Sequence, residues 1–272
     1  MSGGGVGPGG DEGVGPGGDE GVGTGGDGDD SPVGDGGVEH PVRGDPTEFG
    51  QTWVYESLVG GIPGLDISRT AAVAIQIAIF QTGVLVLGIY YGLTNAILAG
   101  TVAVLVAAAG SVEMHRLGEG NRRLSTPPEH KRLLFGSSIE IVLGVLAFIA
   151  LVTYLFVWDG TLLDRLFGPN PPIAVVYLSL LVLWDLCYRI GTSCWSAVVA
   201  LWRAVHVDLS PADAARARRI DAENVGFSVL QLVLVPFLLN DLLLLGAVVG
   251  HVLAVALVCS ASYLLTGRDL DA

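Results

Sequence analysis

Residues 172–202 form a long, predominantly apolar stretch that carries two opposite charges, Asp185 and Arg189, near its middle. About 20 apolar residues cross a bilayer as an α-helix, so this stretch is long enough to be a transmembrane helix. Residues four apart share one helix face, which places the two charged side chains side by side. A charged side chain at bilayer depth costs at least about 2.5–3.5 kcal/mol, so neighbours must compensate the pair. The stretch is therefore expected at the centre of a helical bundle rather than at its lipid-facing edge.

Five more apolar segments accompany this one along the chain. The chain is 51% hydrophobic and 15% charged over 272 residues, which is unusual for a soluble domain. Gly92-Leu93-Thr94 divides the first two segments, which together are too long for one crossing. The sequence predicts an all-α, six-span integral membrane helical bundle over residues 69–268. The predicted spans are about 70–91, 94–112, 134–158, 172–202, 223–239 and 242–265.

The connections between the later spans have their own signals. Trp158 and the segment DGTLLDRLFGPNPP at 159–172 are typical of an interfacial turn. Ser210-Pro211-Ala212-Asp213 predicts a capped helix start that runs towards the fifth span. Asn240-Asp241 is expected to turn the chain into the sixth span.

Basic residues are distributed unevenly over the two sides of the predicted bundle. The loop 113–133 carries five Lys or Arg, the loop 203–222 carries four, and Arg69 and Arg268 add one at each end. The other side has Arg165 alone. Because loops rich in Lys and Arg stay in the cytoplasm, we expect a multi-pass protein of the cell membrane with cytoplasmic N- and C-termini. Six spans agree with this, since they return the chain to its starting side.

Residues 1–45 are acidic and low in complexity. VGPGGDEG occurs at 6–13 and again at 14–21, and residues 1–50 hold eleven acidic residues against one base, Arg43. A segment of Gly, Pro and Asp without aromatic residues buries too little apolar area to offset the entropy of ordering. We therefore expect a disordered Gly/Asp-rich acidic N-terminal tail, which lacks the basic and apolar regions of a signal peptide.

Residues 46–68 connect this tail to the first span. Asp45-Pro46-Thr47-Glu48 is typical of a helix start, and aromatic residues including Trp53 follow it. We expect an interfacial pre-membrane helix and linker, anchored where water meets the bilayer. A helix packed against the end of the bundle is the alternative.

Polar side chains inside the predicted spans form the candidate site. With a rise of about 1.5 Å per residue, most of them fall in the cytoplasmic half of the membrane, at roughly 5–12 Å from its boundary. The sixth-span histidine lies farther out, near mid-membrane. The candidate intramembrane polar cluster comprises Glu140, Asp185, Arg189, Gln76, Gln231 and His251.

Two interpretations of this cluster compete. In the functional one, Glu140, Asp185 or His251 titrates or binds a cation along a polar pathway. In the structural one, Glu140 and Asp185 together neutralise Arg189 and fix the register of the helices. The structural interpretation is favoured, because an arginine shared by two carboxylates needs no substrate.

No pattern of catalytic or metal-binding residues occurs in the sequence. Ser-His pairing, GxSxG and HExxH are absent, and Glu113-Met114-His115 is too sparse for a metal motif. Cys187, Cys194 and Cys259 lie in apolar segments without metal or disulfide spacing, as small buried hydrophobic residues do. We expect no catalytic residue, no metal, no cofactor and no nucleic-acid partner, with an intramembrane enzyme as a minor alternative.

A family resemblance accompanies these residues. The block WDLCYRIGTSCWSAVVALWRA and the downstream ENVGFSVLQLVLVPFLL resemble a family of unknown function, made of polytopic membrane proteins of halophilic archaea. The resemblance covers about residues 50–265 and brings no activity or site residue with it. A single lysine, Lys131, against thirteen arginines is also similar to the composition of proteins from salt-loving archaea.

Two functions follow as expectations. The first is a small-ion or small-solute transporter or channel with Glu140, Asp185 and Arg189 on the path. The second is a non-transporting membrane scaffold or sensor with a structural buried cluster. In either case the lipid bilayer is the partner, and the oligomeric state is open. A water-accessible cavity that reaches Arg189 favours transport, whereas a dry and fully paired cluster favours the scaffold.

Overall fold

The computed structural model describes Trp53 and residues 68–158 and 161–268. This part of the chain contains helices joined by short turns and no strand. The acidic tail and most of the segment 46–68 lie outside the described residues. A π turn (Tyr154–Trp158) continues the helix Ile139–Thr153, and a 3-10 turn (Gln231–Leu234) joins the helix Pro211–Leu230 to the helix Val235–Leu238. The helices are α1 (Arg69–Tyr90), α2 (Thr94–Arg122), α3 (Pro128–Phe135), α4 (Ile139–Thr153), α5 (Thr161–Phe167), α6 (Ile173–His206), α7 (Pro211–Leu230), α8 (Val235–Leu238) and α9 (Leu242–Arg268).

Six helical stretches in the described part are long and apolar enough to cross a membrane. They match the six predicted spans, so the prediction of an all-α, six-span helical bundle is confirmed. The stretches are Ala71–Tyr90, Thr94–Arg122, Pro128–Trp158, Ile173–His206, Pro211–Leu238 and Leu242–Thr266.

The helix α6 is the centre of this bundle. It packs against α4 and α9 most extensively and also contacts α1, α2, α3 and α7. Its 34 residues extend over about 51 Å, which is longer than the ~30 Å hydrocarbon core of a bilayer. The helix therefore organises both the membrane-embedded part of the bundle and the end beyond it.

The predicted basic loop 113–133 is mostly helical. The helix α2 continues through Arg122, about ten residues past its predicted end, and α3 begins at Pro128. Only the five residues 123–127 connect these two helices. The apolar pattern of the second span stops at the membrane boundary, whereas its backbone hydrogen bonds continue beyond that boundary.

Two other connections can be compared with expectation. The predicted interfacial turn at 159–172 contains the two-turn helix α5, which ends at Phe167 and is followed by Gly168 with a left-handed φ of 78°. The predicted cap before the fifth span is present, since Ser210 Oγ accepts a hydrogen bond from the Asp213 backbone N at 3.2 Å. The helix α7 therefore starts in the connecting segment and continues into the membrane, as expected.

The fifth span is interrupted near its end. After Leu230 the chain forms the 3-10 turn Gln231–Leu234, and Pro236 then lies in the first turn of α8. Proline lacks a backbone N–H and cannot complete a regular helical turn before it. Asn240 and Asp241 then turn the chain into α9, as predicted.

Trp53 is fully buried against the protein. Its Nε1 donates a hydrogen bond to the Leu134 carbonyl at 3.2 Å, and its ring lies 5.1 Å from that of Phe135. This contact is the one expected if the segment before α1 packs on the end of the bundle. The aromatic side chain that suggested an interfacial anchor is thus used for packing, while the predicted helix itself lies outside the described residues.

Candidate functional site

Asp185 and Arg189 form a buried ion pair on α6. Arg189 Nη2 donates to Asp185 Oδ1 at 2.7 Å, and its Nε donates to Oδ2 at 3.0 Å, so the contact is bidentate. The two residues are 3% and 1% exposed, respectively. A bidentate Arg–carboxylate pair joins the charges with defined geometry, which is what low-dielectric surroundings require.

The arginine reaches away from α6 towards α2 and α7. Its Nη1 lies 3.5 Å from Met114 Sδ on α2. Gly110 leaves room for the side chain, because a methyl group there would lie 2.4 Å from Arg189 Cδ and 2.8 Å from a ring carbon of Phe227. The pair therefore lies where α2, α6 and α7 meet.

Glu140 lies on a different side of α6. A methyl group on Gly191 would come within 2.8 Å of the Glu140 carbonyl and 2.7 Å of the Gly144 backbone N, so α4 and α6 touch there. Glu140 is fully buried, and neither carboxylate oxygen has a hydrogen-bond partner among the described residues. The structure thus shows Arg189 bonded to Asp185 and Met114, and it joins Glu140 to the pair by no hydrogen bond.

The two predicted glutamines have different surroundings. Gln76 is half-buried on α1, and one and a half turns farther along Gln81 Nε2 donates to Thr101 Oγ1 of α2 at 2.9 Å. Gln231 is buried at the start of the 3-10 turn, and neither of its side-chain amide atoms has a hydrogen-bond partner among the described residues. The predicted layer is therefore not one continuous hydrogen-bonded cluster.

His251 makes a separate contact near the middle of α9. Its Nδ1 lies 3.1 Å from Cys194 Sγ of α6. This contact links α6 to α9, and it lies on the face of α6 that carries small residues, Cys187, Gly191 and Cys194. The histidine therefore has a packing role between two spans in this structure.

A second buried charge network was missed by sequence reasoning. Arg203 Nη2 donates to Asp221 Oδ1 at 2.9 Å, and Ser262 Oγ donates to Asp221 Oδ2 at 2.7 Å. The three residues join α6, α7 and α9, and each is at most 2% exposed. Arg203 and Asp221 were both assigned to the predicted loop 203–222. The available signal was that Arg203 directly follows the predicted fourth span and Asp221 comes just before the fifth, at the same end of the bundle.

The bundle also contains a partly open apolar cavity of about 440 Å³. Side chains from α1, α2, α4, α5, α6, α8 and α9 and from the π and 3-10 turns line it, and nearly all are aliphatic or aromatic. The lining reaches Cys187 and His251, but within the described part of the chain it includes neither Asp185 nor Arg189 nor Glu140. The cavity and the ion pair are therefore separate features of the bundle.

These features define a class of protein. The described part of the chain has six apolar helices that are long enough to cross a bilayer, and buried ion pairs lie between and on these helices. These features are typical of a polytopic helical membrane protein. Residues 48–262 match a family of unknown function, DUF7530, and the chain belongs to that family. No curated protein and no solved structure matches the chain.

Proposed function

We propose that this polytopic membrane protein is a non-transporting scaffold or sensor of the cell membrane, in which the buried charges hold the helices together. The observation that carries the proposal is the closed Asp185–Arg189 pair, bidentate and at most 3% exposed. A charge on an ion path must be able to exchange its partner for water or for the ion. Here the cavity lining includes neither residue of the pair.

The same proposal includes the orientation of the protein in the cell membrane. Both termini and the connections 123–127 and 207–210 are assigned to the cytoplasmic side, on the basis of the basic residues beside them. A scaffold or sensor would present these segments, and the acidic tail, to cytoplasmic partners.

Reconstitution tests the absence of transport. The full-length chain is inserted into liposomes that carry an imposed proton or sodium gradient, and the flux is followed with an enclosed indicator dye. The proposal expects the flux of protein-free liposomes, with an ionophore added at the end to show that the gradient was intact. A flux above that level, which Asp185→Asn then abolishes, would overturn the proposal.

A small-ion or small-solute channel or transporter is the second candidate, and one observation favours it. The interrupted span at Gln231–Leu234 places a buried amide with no hydrogen-bond partner among the described residues at a break in a membrane helix. Broken spans bind substrates and coupling ions in many transporters. If the protein is a transporter, the wild type is expected to give a flux in the liposome assay and Gln231→Leu to abolish it. Leu232→Ala, at the neighbouring and more exposed position, is the control that should retain the flux.

The proposal also includes that the protein comes from an organism adapted to concentrated salt. The net charge is −13, with one lysine among fourteen basic residues. Self-repulsion of such a charge is screened in concentrated salt, so stability is expected to rise with salt. Thermal unfolding in detergent at low and at molar potassium chloride measures this, and an unchanged midpoint would contradict it.

A further inference from the structure

The apolar cavity begins at the end of the bundle where α1 joins α2 and extends into the membrane-embedded part. On α2 its lining runs from Leu93, beside the turn that follows α1, to Ala103, a length of about 15 Å. On α9 it runs from Leu243 to His251. One leaflet of a bilayer occupies about half of the ~30 Å hydrocarbon core. On α6 the lining runs from Val175 to Ile190, about 22 Å, so the cavity is at least as deep as the leaflet on the side where α1 joins α2.

Water is a poor occupant of this space. A buried water needs two to four polar partners, and apolar cavities stay dry. Among the lining side chains, Ser179 Oγ already donates to the Val175 carbonyl at 2.8 Å, and His251 Nδ1 already contacts Cys194. The cavity therefore offers few free hydrogen-bonding groups, among them His251 Nε2, to water or to a polar solute.

The size of the cavity fits a long apolar occupant. Its volume of about 440 Å³ lies within the range of small-molecule sites. It is roughly three times the ~150 Å³ of an apolar cavity that takes benzene. An unfilled space of this size would deprive its lining of dispersion contacts on one side.

From its depth, lining and volume we propose that the cavity is a binding site for one hydrocarbon chain of a bilayer lipid. The chain comes from the leaflet on the side of the α1–α2 turn, and its end lies near Cys187, Ile190 and His251. The site is separate from the ion pairs, so it is independent of whether the protein transports ions.

Photo-cross-linking in vesicles tests this. The full-length chain is placed in diacyl phosphatidylcholine vesicles doped with the same lipid bearing a diazirine at the end of one chain. After irradiation, mass spectrometry locates the labelled residues. We expect labels at Cys187 and Ile190, inside the cavity, in addition to Leu253, which is 57% exposed at a depth similar to that of His251.

Substitutions that fill the cavity supply the comparison. Ala103→Phe on α2 and Ala147→Phe on α4 each put a ring into the lined space. Either substitution is expected to lower the yield of cavity labels about tenfold. The added ring competes with the lipid chain for space, and an overpacking cost of about 1.4 kcal/mol corresponds to a factor of ten in occupancy. Their sequence neighbours Leu105→Phe and Leu146→Phe start from side chains that are 57% and 58% exposed and serve as matched controls that leave the cavity labels unchanged.

Three results would overturn the proposal. One is labelling confined to exposed residues such as Leu253. Another is cavity labelling that Ala103→Phe and Ala147→Phe leave unchanged while both variants fold, as judged by their unfolding midpoints. The third is cavity labelling by a free photoactivatable alkane and not by the lipid, which would assign the site to a small lipophilic molecule instead.

Discussion

Arg189, like Arg203, is a buried side chain that cannot become neutral. A guanidinium cannot lose its proton in a protein, whereas a buried carboxylate can take one up. Breaking a buried ion pair by removing one partner costs about 3–5 kcal/mol, because a charge is left uncompensated. Asp185, held through two hydrogen bonds at 2.7 and 3.0 Å, is therefore the residue on which this part of the structure depends most.

The two halves of the pair should respond unequally to removal. Asp185→Leu leaves a charged Arg189 and is expected to lower the free energy of unfolding by about 3–5 kcal/mol. Arg189→Leu is expected to cost less, because Asp185 can be protonated. The double substitution to leucine should lie closer to the wild type than Asp185→Leu does. Thermal unfolding in detergent, followed by circular dichroism, measures the order, and equal small losses in all three would place the pair in contact with water or lipid head groups.

Glu140 is expected to be more tolerant than Asp185. Neither of its carboxylate oxygens has a hydrogen-bond partner among the described residues, so Glu140→Gln removes no hydrogen bond that the structure shows. The expected change in unfolding free energy is about 1 kcal/mol or less in either direction. A loss as large as that of Asp185→Leu, in the same assay, would show that Glu140 carries the charge balance of Arg189 after all.

The sequence predicted part of this interior and could not predict the rest. The spacing of Asp185 and Arg189 on one helix is a local property, so their pairing could be predicted. The depth of Glu140 follows from counting residues along its span, but the side of α6 that it occupies depends on how α4 packs. Gly144 and Gly191 determine that packing, and their contact joins residues 47 positions apart. The Arg203–Asp221–Ser262 network likewise needs three helices in place.

At the scale of helices, α4 and α6 approach each other through glycine. Gly191 faces the backbone of α4, where a methyl group would meet the Gly144 N at 2.7 Å and the Glu140 carbonyl at 2.8 Å. Apolar lipid gives membrane helices little hydrophobic reason to associate, so close backbone approach and packing must provide it. The small-residue face of α6 is therefore used against α4 at Gly191 and against α9 at Cys194.

Two glycine substitutions test that contact. Gly191→Ala is expected to lower the free energy of unfolding by about 1–3 kcal/mol, because backbone atoms of α4 must move. Gly226→Ala on α7 is the control, since nothing lies within 4 Å of the position that its methyl group would occupy. It should stabilise by about 0.5–1 kcal/mol through reduced backbone entropy. Similar values for the two variants in detergent unfolding would mean that α4 and α6 are not in backbone contact.

Trp53 tests how the segment before α1 is attached. Trp53→Ala is expected to cost about 3–5 kcal/mol, the usual loss for a fully buried large aromatic side chain. Trp53→Phe should cost about 1 kcal/mol, mainly from the lost hydrogen bond to Leu134. Trp158 is 85% exposed, so Trp158→Ala should change stability by less than about 0.5 kcal/mol in detergent. The attachment would be refuted by a Trp53→Ala variant as stable as Trp158→Ala.

The extent of each helix was less predictable than its existence. A hydropathy profile detects stretches of apolar residues long enough to cross the hydrocarbon core, which is about 30 Å thick, so it predicted six spans. The helix α2 has 29 residues and extends about 43 Å. Its last turns carry Arg122, and Glu119 forms ion pairs with Arg122 and Arg123 at 3.4 and 2.7 Å. Such polar turns stabilise a helix outside the membrane, where an apolar pattern gives no signal.

At the scale of the whole molecule, the two ends of the bundle carry different charges. At one end Arg116 of α2 pairs with Glu223 of α7 at 2.7 Å, and Arg123, Arg216 and Arg219 are exposed. At the other end, the described residues place Arg165 of α5 against the buried carboxylate of Asp241. The end with the exposed arginines is the one that the positive-inside rule assigns to the cytoplasm.

Single thiols introduced at the two ends test this orientation. Ser125 lies between α2 and α3 and Asn170 lies between α5 and α6, and both are exposed. In intact cells, a membrane-impermeant maleimide is expected to label Asn170→Cys and to leave Ser125→Cys unlabelled until the membrane is broken, because the proposed topology places the basic end in the cytoplasm. The parent chain is the control, since Cys187 and Cys259 are buried and Cys194 is half-buried against His251. Labelling of Ser125→Cys in intact cells, with Asn170→Cys protected, would reverse the topology and with it the side on which the cavity opens.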